Sequence, residues 1–214
     1  AQSLLDWYAA NKRDLPWRKT VNPYRVWIAE IMLQQTRVET VIPYFERWME
    51  RYPTVEDLAK VELREVLKSW EGLGYYSRAR SLHKAARLLL ERHGGQLPAT
   101  AKELSAVPGI GPYSAGAIAS IAFGKDEPAL DGNIRRILAR LYQLDEPVTS
   151  TAGNRRLWEL ARQALPEGKA GDFNQALMDL ANHACLPKTP RCDLCPLTKH
   201  CQAHLHGQTR LYPV

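Results

Sequence analysis

The chain has 214 residues, 45% of them hydrophobic and 24% charged, enough to bury a real core in one large domain or two small ones. No apolar run approaches the length of a membrane span, and the start, Ala1-Gln2-Ser3, lacks both a methionine and the basic, apolar and small blocks of a secretory leader. The lack of an apolar span argues against a membrane-spanning class and the missing methionine reads as a trimmed start, while the formal charge of +6 and a pI near 9.2 favour a polyanionic partner.

In chain order, Leu4-Leu5-Trp7-Tyr8 begins an amphipathic helix, and Trp27-Ile28-Ile31 with Gln34 and Gln35 marks a second. Further helices are predicted over Val41–Glu50, Val55–Lys60, Leu63–Trp70, Ser77–Arg92 and Ala101–Val107. The last group spans Tyr113–Phe123, Gly132–Tyr142, Ala152–Leu165 and Phe173–Cys185. Stops fall at Pro53, Gly94-Gly95, Pro98, Pro108-Gly109, Gly124, Pro128, Pro147 and Pro166. No stretch alternates apolar and polar residues long enough to require a sheet. The expectation is an all-α protein of about ten helices in two lobes, with no repeat and no low-complexity linker.

All four cysteines fall in one C-terminal loop, Cys185, Cys192, Cys195 and Cys201, with the spacing C-x6-C-x2-C-x5-C. A disulfide knot at one end would add little to a chain that otherwise reads as a cytosolic enzyme. Structural zinc usually takes two close C-x2-C pairs, and only Cys192 and Cys195 form one, although a four-thiolate zinc site stays open. Unequal gaps on one compact loop suit an iron–sulfur cluster, whose corners need ligands from several directions.

Between two predicted helices runs Val107-Pro108-Gly109-Ile110-Gly111-Pro112-Tyr113. Pro108 stops one helix, Gly109 and Gly111 permit positive φ and close approach, and Pro112 suits the first turn of the next. The amides from Gly109 to Gly111 are thereby expected to face outward at the positive end of a helix dipole, as an anion site. The bland alternative is an ordinary helical corner, which needs one glycine rather than two.

This hairpin, an Asp shortly after its second helix, and the cysteine tail together resemble the endonuclease III superfamily of DNA base-excision glycosylases. The resemblance implies a helix-hairpin-helix at about 101–123 in a six-helix lobe, 22–124, and a second lobe of 1–21 with 125–214 that carries a [4Fe-4S] cluster. It further implies a DNA cleft between the lobes and hairpin amides that hold a backbone phosphate. The cysteines would bind the cluster, which shapes a basic DNA-contacting loop; Lys188, Arg191, Lys199 and His200 decorate that segment.

Two carboxylates suggest the chemistry. Asp131 stands just ahead of a helical run, where it can cap the helix, and a helix N-terminus also stabilises a carboxylate as the anion. Glu30 lies in Val26-Trp27-Ile28-Ala29-Glu30-Ile31-Met32-Leu33, and a glutamate on an apolar face is either paired or pushed towards its neutral form. A proton-bearing Glu and an ionised Asp facing one cleft would serve to split a nucleoside C1′–N bond, because the base must be protonated and the sugar passes through a cation.

Within the superfamily, Ala29-Glu30-Ile31-Met32-Leu33-Gln34-Gln35-Thr36, Gly72-Leu73-Gly74-Tyr75-Tyr76 and Leu130-Asp131-Gly132-Asn133 are similar to the adenine DNA glycosylase branch, the MutY family. The resemblance implies removal of adenine opposite 8-oxoguanine or guanine in double-stranded DNA, with Glu30 protonating adenine at N7, Asp131 stabilising the sugar cation and Asn133 orienting them. Gln35 and Tyr75 would enter the base stack, and one of Tyr75 and Tyr76 is expected only to pack in the core. Arg18 and Gln175 match positions that line the adenine pocket. Tyr113 stands where the bifunctional branch has an imine-forming lysine, so the expected enzyme is monofunctional, with Tyr113 a hydrogen-bond donor to the site. Rival readings are a thymine glycosylase acting on T:G, a non-catalytic iron–sulfur DNA binder and a zinc-ribbon DNA binder. The branch also implies a further C-terminal domain that reads 8-oxoguanine, and this chain ends at Leu211-Tyr212-Pro213-Val214, about where a linker to it would begin. A monomer in the cytoplasm, at the bacterial nucleoid, with no membrane association, completes the expectation.

Overall fold

The computed structural model describes residues 1–214 and contains helices and turns without a strand. The helices are α1 (Gln2–Asn11), α2 (Pro23–Leu33), α3 (Val38–Arg51), α4 (Val55–Lys60), α5 (Leu63–Ser69) and α6 (Ser77–His93). They continue as α7 (Ala101–Leu104), α8 (Pro112–Phe123), α9 (Gly132–Tyr142), α10 (Thr151–Ala164), α11 (Ala170–His183) and α12 (Gln202–Leu205). The chain folds into two units, Asp14–Phe123 and a second made of Ala1–Arg13 with Gly124–Val214. The segment from 14 to 21, expected with the cysteine-bearing lobe, packs in the first of these, because Leu15 and Trp17 are buried in its core.

In the unit Asp14–Phe123 the organising element is α2. Asn22 caps it by accepting a hydrogen bond from the Arg25 amide at 3.1 Å, and Pro23 occupies its first turn. Every residue from Val26 to Met32 is then buried, so two successive turns of the helix are covered all round. It packs on α8, whose Ala115, Gly116, Ala117 and Ala119 are small enough for close approach. Trp48 and Trp70 meet edge to face at 5.6 Å, and the Trp48 indole donates to the Tyr24 hydroxyl, which donates in turn to the Tyr52 carbonyl. Burial pushes the Tyr24 phenol far above its ordinary pKa, so it acts only as a neutral hydroxyl there.

The first helix of the hairpin is shorter than the sequence pattern suggests. α7 stops at Leu104, and 105–107 continue as turns, with the Val107 amide donating to the Leu104 carbonyl at 3.0 Å. Pro108 is the physical reason, since it steers the residue before it away from the helical region.

The second unit is built round α9, against which α10, α11 and α12 all pack, with α1 on α11. Its core holds Leu4, Tyr8, Ile134, Leu138, Leu157, Leu177 and Leu180. Arg13 pairs with the buried Asp179 of α11 at 2.7 Å. Asn174, 1% exposed, accepts from the Ala129 amide at 3.2 Å and donates to the Glu127 carbonyl at 2.9 Å. It thereby fixes the extended segment leading to Asp131. Replacing Asn174 with Ala strands two main-chain groups, and chemical denaturation should register a loss of about 1–3 kcal/mol.

Candidate active site and cysteine loop

Glu30 is 5% exposed, between Ala29 and Ile31 in the covered middle of α2, and its Oε2 atom is shut off from solvent. At the end of the same helix, the Gln34 side-chain amide donates to the Ser114 hydroxyl of α8 at 3.2 Å, next to the half-buried Tyr113. The hairpin places its two glycines differently. Gly109 has φ +81°, and a Cβ there would lie 2.6 Å from the Ser81 side chain of α6. Gly111 lies outside the positive-φ set and a Cβ on it would meet nothing within 4 Å. Only Gly109 therefore has the left-handed backbone expected of both.

Gln35 and Tyr75 share an uncommon feature: each is a non-glycine residue with left-handed backbone, at φ 55° and 48°. Both are exposed, Tyr75 to 60%, and Tyr76 is also exposed to 39%. The expectation that one tyrosine of the pair packs in the core is thus wrong. The turn that bears them is held from beneath: Gly74 presents its carbonyl to the Trp70 indole N–H at 2.9 Å. Arg18, half-buried in a 3-10 turn over Pro16–Arg18, belongs to this same unit.

In the other unit, Asp131 caps α9. Its Oδ1 accepts from the Ile134 amide at 2.7 Å, and its Oδ2 accepts from the Asn133 side-chain amide at 3.2 Å. Both carboxylate oxygens are thus held in place at the N-terminal end of α9. Asn133 is itself held by Arg136, which donates to its Oδ1 at 2.9 Å and to the carbonyls of Cys185 and Ala181. Burial lowers the Arg136 pKa, and the neighbouring Cys185 offsets part of that effect. Gln175, half-buried on α11, donates back to the Gly171 carbonyl of its own helix at 3.4 Å.

The four cysteines are all half-buried and follow α11 through two 3-10 turns to α12. Thr198 ties the loop to itself by donating to the carbonyls of Cys192 and Cys195. Arg140, 2% exposed, donates to the carbonyls of Leu186, Pro187 and Tyr212, and its Nη1 lies 3.4 Å from the Cys185 sulfur. Burial pushes the Cys195 thiol up to about 11 and raises those of Cys192 and Cys201, with the other cysteines adding to the effect. Lys188, Arg191, Lys199 and His200 are exposed on this loop.

Sequence reasoning missed the arginines that bind carbonyls. It assigned no role to Arg78, Arg136 or Arg140. A signal existed for Arg78: it stands in line with Leu82, Ala85, Ala86 and Leu89, the buried face of α6.

Residues 28–163 match the HhH-GPD superfamily of base excision DNA repair proteins. An adenine DNA glycosylase of Rattus norvegicus is 47% identical over 220 residues, covering 98% of this chain and 43% of that protein. The chain spans about half the length of the curated relatives it matches. A thermostable thymine-DNA glycosylase superposes with a TM-score of 0.88 at 32% identity, over 96% of this chain and 94% of the other. Endonuclease III trapped as a covalent intermediate with DNA superposes at 0.79 with 23% identity over 96% and 94%, a likeness of fold alone. On the match that spans α2 to α10, together with the hairpin and the capping Asp131, this chain belongs to the HhH-GPD superfamily of base excision DNA repair proteins.

Proposed function

We propose that this chain hydrolyses the N-glycosidic bond of adenine mispaired with 8-oxoguanine or guanine in duplex DNA, leaving an abasic site. The observation that carries the reading is the contrast between its two carboxylates. Glu30 is 5% exposed on α2 and serves as the proton donor, whereas Asp131 caps α9 and accepts hydrogen bonds from the Ile134 amide and the Asn133 side chain. Glu30 gives its proton to N7 of the flipped adenine, the C1′–N9 bond breaks, and its electron pair leaves with the base. Asp131 stabilises the resulting sugar cation until a water oxygen bonds to C1′ and that water's surplus proton passes to a carboxylate. Asn133 orients the Asp131 carboxylate. Arg18 and Gln175 each contact the flipped adenine, and Tyr113 donates a hydrogen bond to the reacting nucleotide. Without a lysine at 113 no imine forms. Identity of 47% to an adenine DNA glycosylase, against 32% to the thymine enzyme, supports adenine as the base.

Gln35 and Tyr75 serve as wedges that fill the stack when the adenine leaves it, which offsets the few kcal/mol that flipping costs. The amides around Gly109 to Gly111, at the start of α8, hold a phosphate of the same strand. Open space over Gly111 leaves room for that phosphate group.

The cysteine loop fits a [4Fe-4S] cluster, because its four half-buried thiols lie within electrostatic reach of one another. Arg140 beside the Cys185 sulfur suits an anionic cluster. Cys185, Cys192, Cys195 and Cys201 would hold the cluster, which would supply the cross-links that shape the loop. Lys188, Arg191, Lys199 and His200 then meet the DNA backbone, and their contribution falls as salt rises.

Glu30→Gln should cut single-turnover adenine release from A:8-oxoguanine duplex by roughly 100-fold or more while DNA affinity holds. With the unaltered chain, T:G duplex should stay intact and borohydride should trap no protein–DNA adduct; release of thymine in preference to adenine sinks the reading. Gly111→Ala should fold normally and bind duplex more weakly, whereas Gly109→Ala should lower the melting temperature, because only the second meets Ser81 and a left-handed backbone. Protein purified without air should be brown and carry iron and sulfide in equal amounts; a colourless, zinc-loaded protein would contradict the cluster assignment.

A further inference from the structure

Arg78 stands at the first turn of α6, 7% exposed, and its guanidinium spends its terminal donors on two separate pieces of chain. Nη1 donates to the carbonyls of Ile31 at 3.0 Å, Met32 at 2.9 Å and Gln34 at 2.5 Å. Nη2 donates to the Thr36 hydroxyl at 3.1 Å and to the carbonyls of Leu73 and Gly74, each at 3.2 Å. The first set is the open C-terminal end of α2, whose last carbonyls have no partner within the helix. The second includes the turn before α6.

These carbonyls are not arbitrary. Gln34 immediately precedes Gln35, and Gly74 immediately precedes Tyr75, the two non-glycine residues held at φ 55° and 48°. A left-handed L-residue costs roughly 1–2 kcal/mol, so something in the surroundings must hold each one. Fixing the carbonyl of the residue before each fixes the peptide plane that enters it. The guanidinium carbon also lies 5.4 Å from the Tyr75 ring centroid and 5.2 Å from that of Trp70, so one cation is sandwiched near a wedge ring and a core ring.

We propose that Arg78 is the positioning residue that sets Gln35 and Tyr75 as one rigid pair, by binding the carbonyl ahead of each and facing the Tyr75 ring. The inference rests on the reading of those two residues as the wedges that replace a flipped adenine. A planar fork with donors on two nitrogens can bridge two segments, which a lysine ammonium, a single point with three donors, cannot do with the same geometry. The effect of Arg78 on the reaction runs through Gln35 and Tyr75.

The test is a double-mutant cycle with two readouts. In Arg78→Lys, single-turnover adenine release and the emission of 2-aminopurine placed opposite 8-oxoguanine should both fall roughly tenfold. In the Gln35→Ala, Tyr75→Ala background, the same Arg78→Lys change should cost about twofold or less, because the groups it positions are gone. Equal losses in both backgrounds mean a general structural role and overturn the proposal. Hydrogen exchange on the DNA-free protein supplies the second readout: the amides of residues 35–36 and 74–76 should speed up together in Arg78→Lys, and acceleration of one segment alone, or of neither, overturns it. This readout needs no chemistry, so a chain that releases no adenine defeats the functional reading while exchange still decides on Arg78. Should Arg78→Lys fold poorly, Thr36→Val removes one acceptor and should give the same joint acceleration at smaller amplitude; independent behaviour of the two segments there counts against the pairing.

Discussion

A buried guanidinium must find acceptors, and in this chain the acceptors are main-chain carbonyls rather than carboxylates. Arg78 takes five of them in one unit; Arg136 and Arg140 take five in the other. Each of these arginines sits where the helical ladder runs out. Loops carry function but cannot satisfy their own carbonyls, so a planar cation with several fixed donors replaces the missing ladder. Losing one such arginine strands several carbonyls at once, a heavier penalty than losing a surface ion pair. Arg51–Glu65 and Arg156–Glu159, by contrast, are such surface pairs.

The same economy is visible at Asp131. A helix N-terminus needs an acceptor, and the Asp131 carboxylate supplies one to the Ile134 amide while its other oxygen holds the Asn133 side chain. Glu30 takes the opposite course. It lies 5% exposed in the buried middle of α2, whereas Asp131 stands at the end of a helix.

Much of this was legible in the residues themselves. Helix positions followed from apolar spacing, the cap at Asp131 from its place ahead of a helical run, and the cysteine loop from four thiols crowded into one segment. The hairpin was legible as a turn, but the separate duties of Gly109 and Gly111 were not, because Ser81 of α6 decides one of them and lies far away in sequence. The tyrosine pair misled for a related reason. Aromatic residues beside a helix usually pack inward, and only the turn geometry imposed at Gly72, Leu73 and Gly74 turns both rings outward. Arginine clamps are the hardest to read. Their partners are carbonyls, which every residue possesses, so no side-chain pattern announces the partner.

What a sequence can announce is the anomaly on the donor's side. A charged residue aligned with the buried stripe of a helix has to be satisfied by something, and α6 carries Arg78 in register with Leu82 and Leu89. Directly before that helix stand Gly74 and Tyr75, and across the core ends α2. A cation forced into that position by helical periodicity meets the exposed carbonyls of both segments, because those are the polar groups left without partners there. The placement of two left-handed residues then follows from one requirement of burial: the guanidinium cannot enter the core unless the backbone on both sides bends its carbonyls towards it, and bending them is what sets Gln35 and Tyr75 in their unusual conformations.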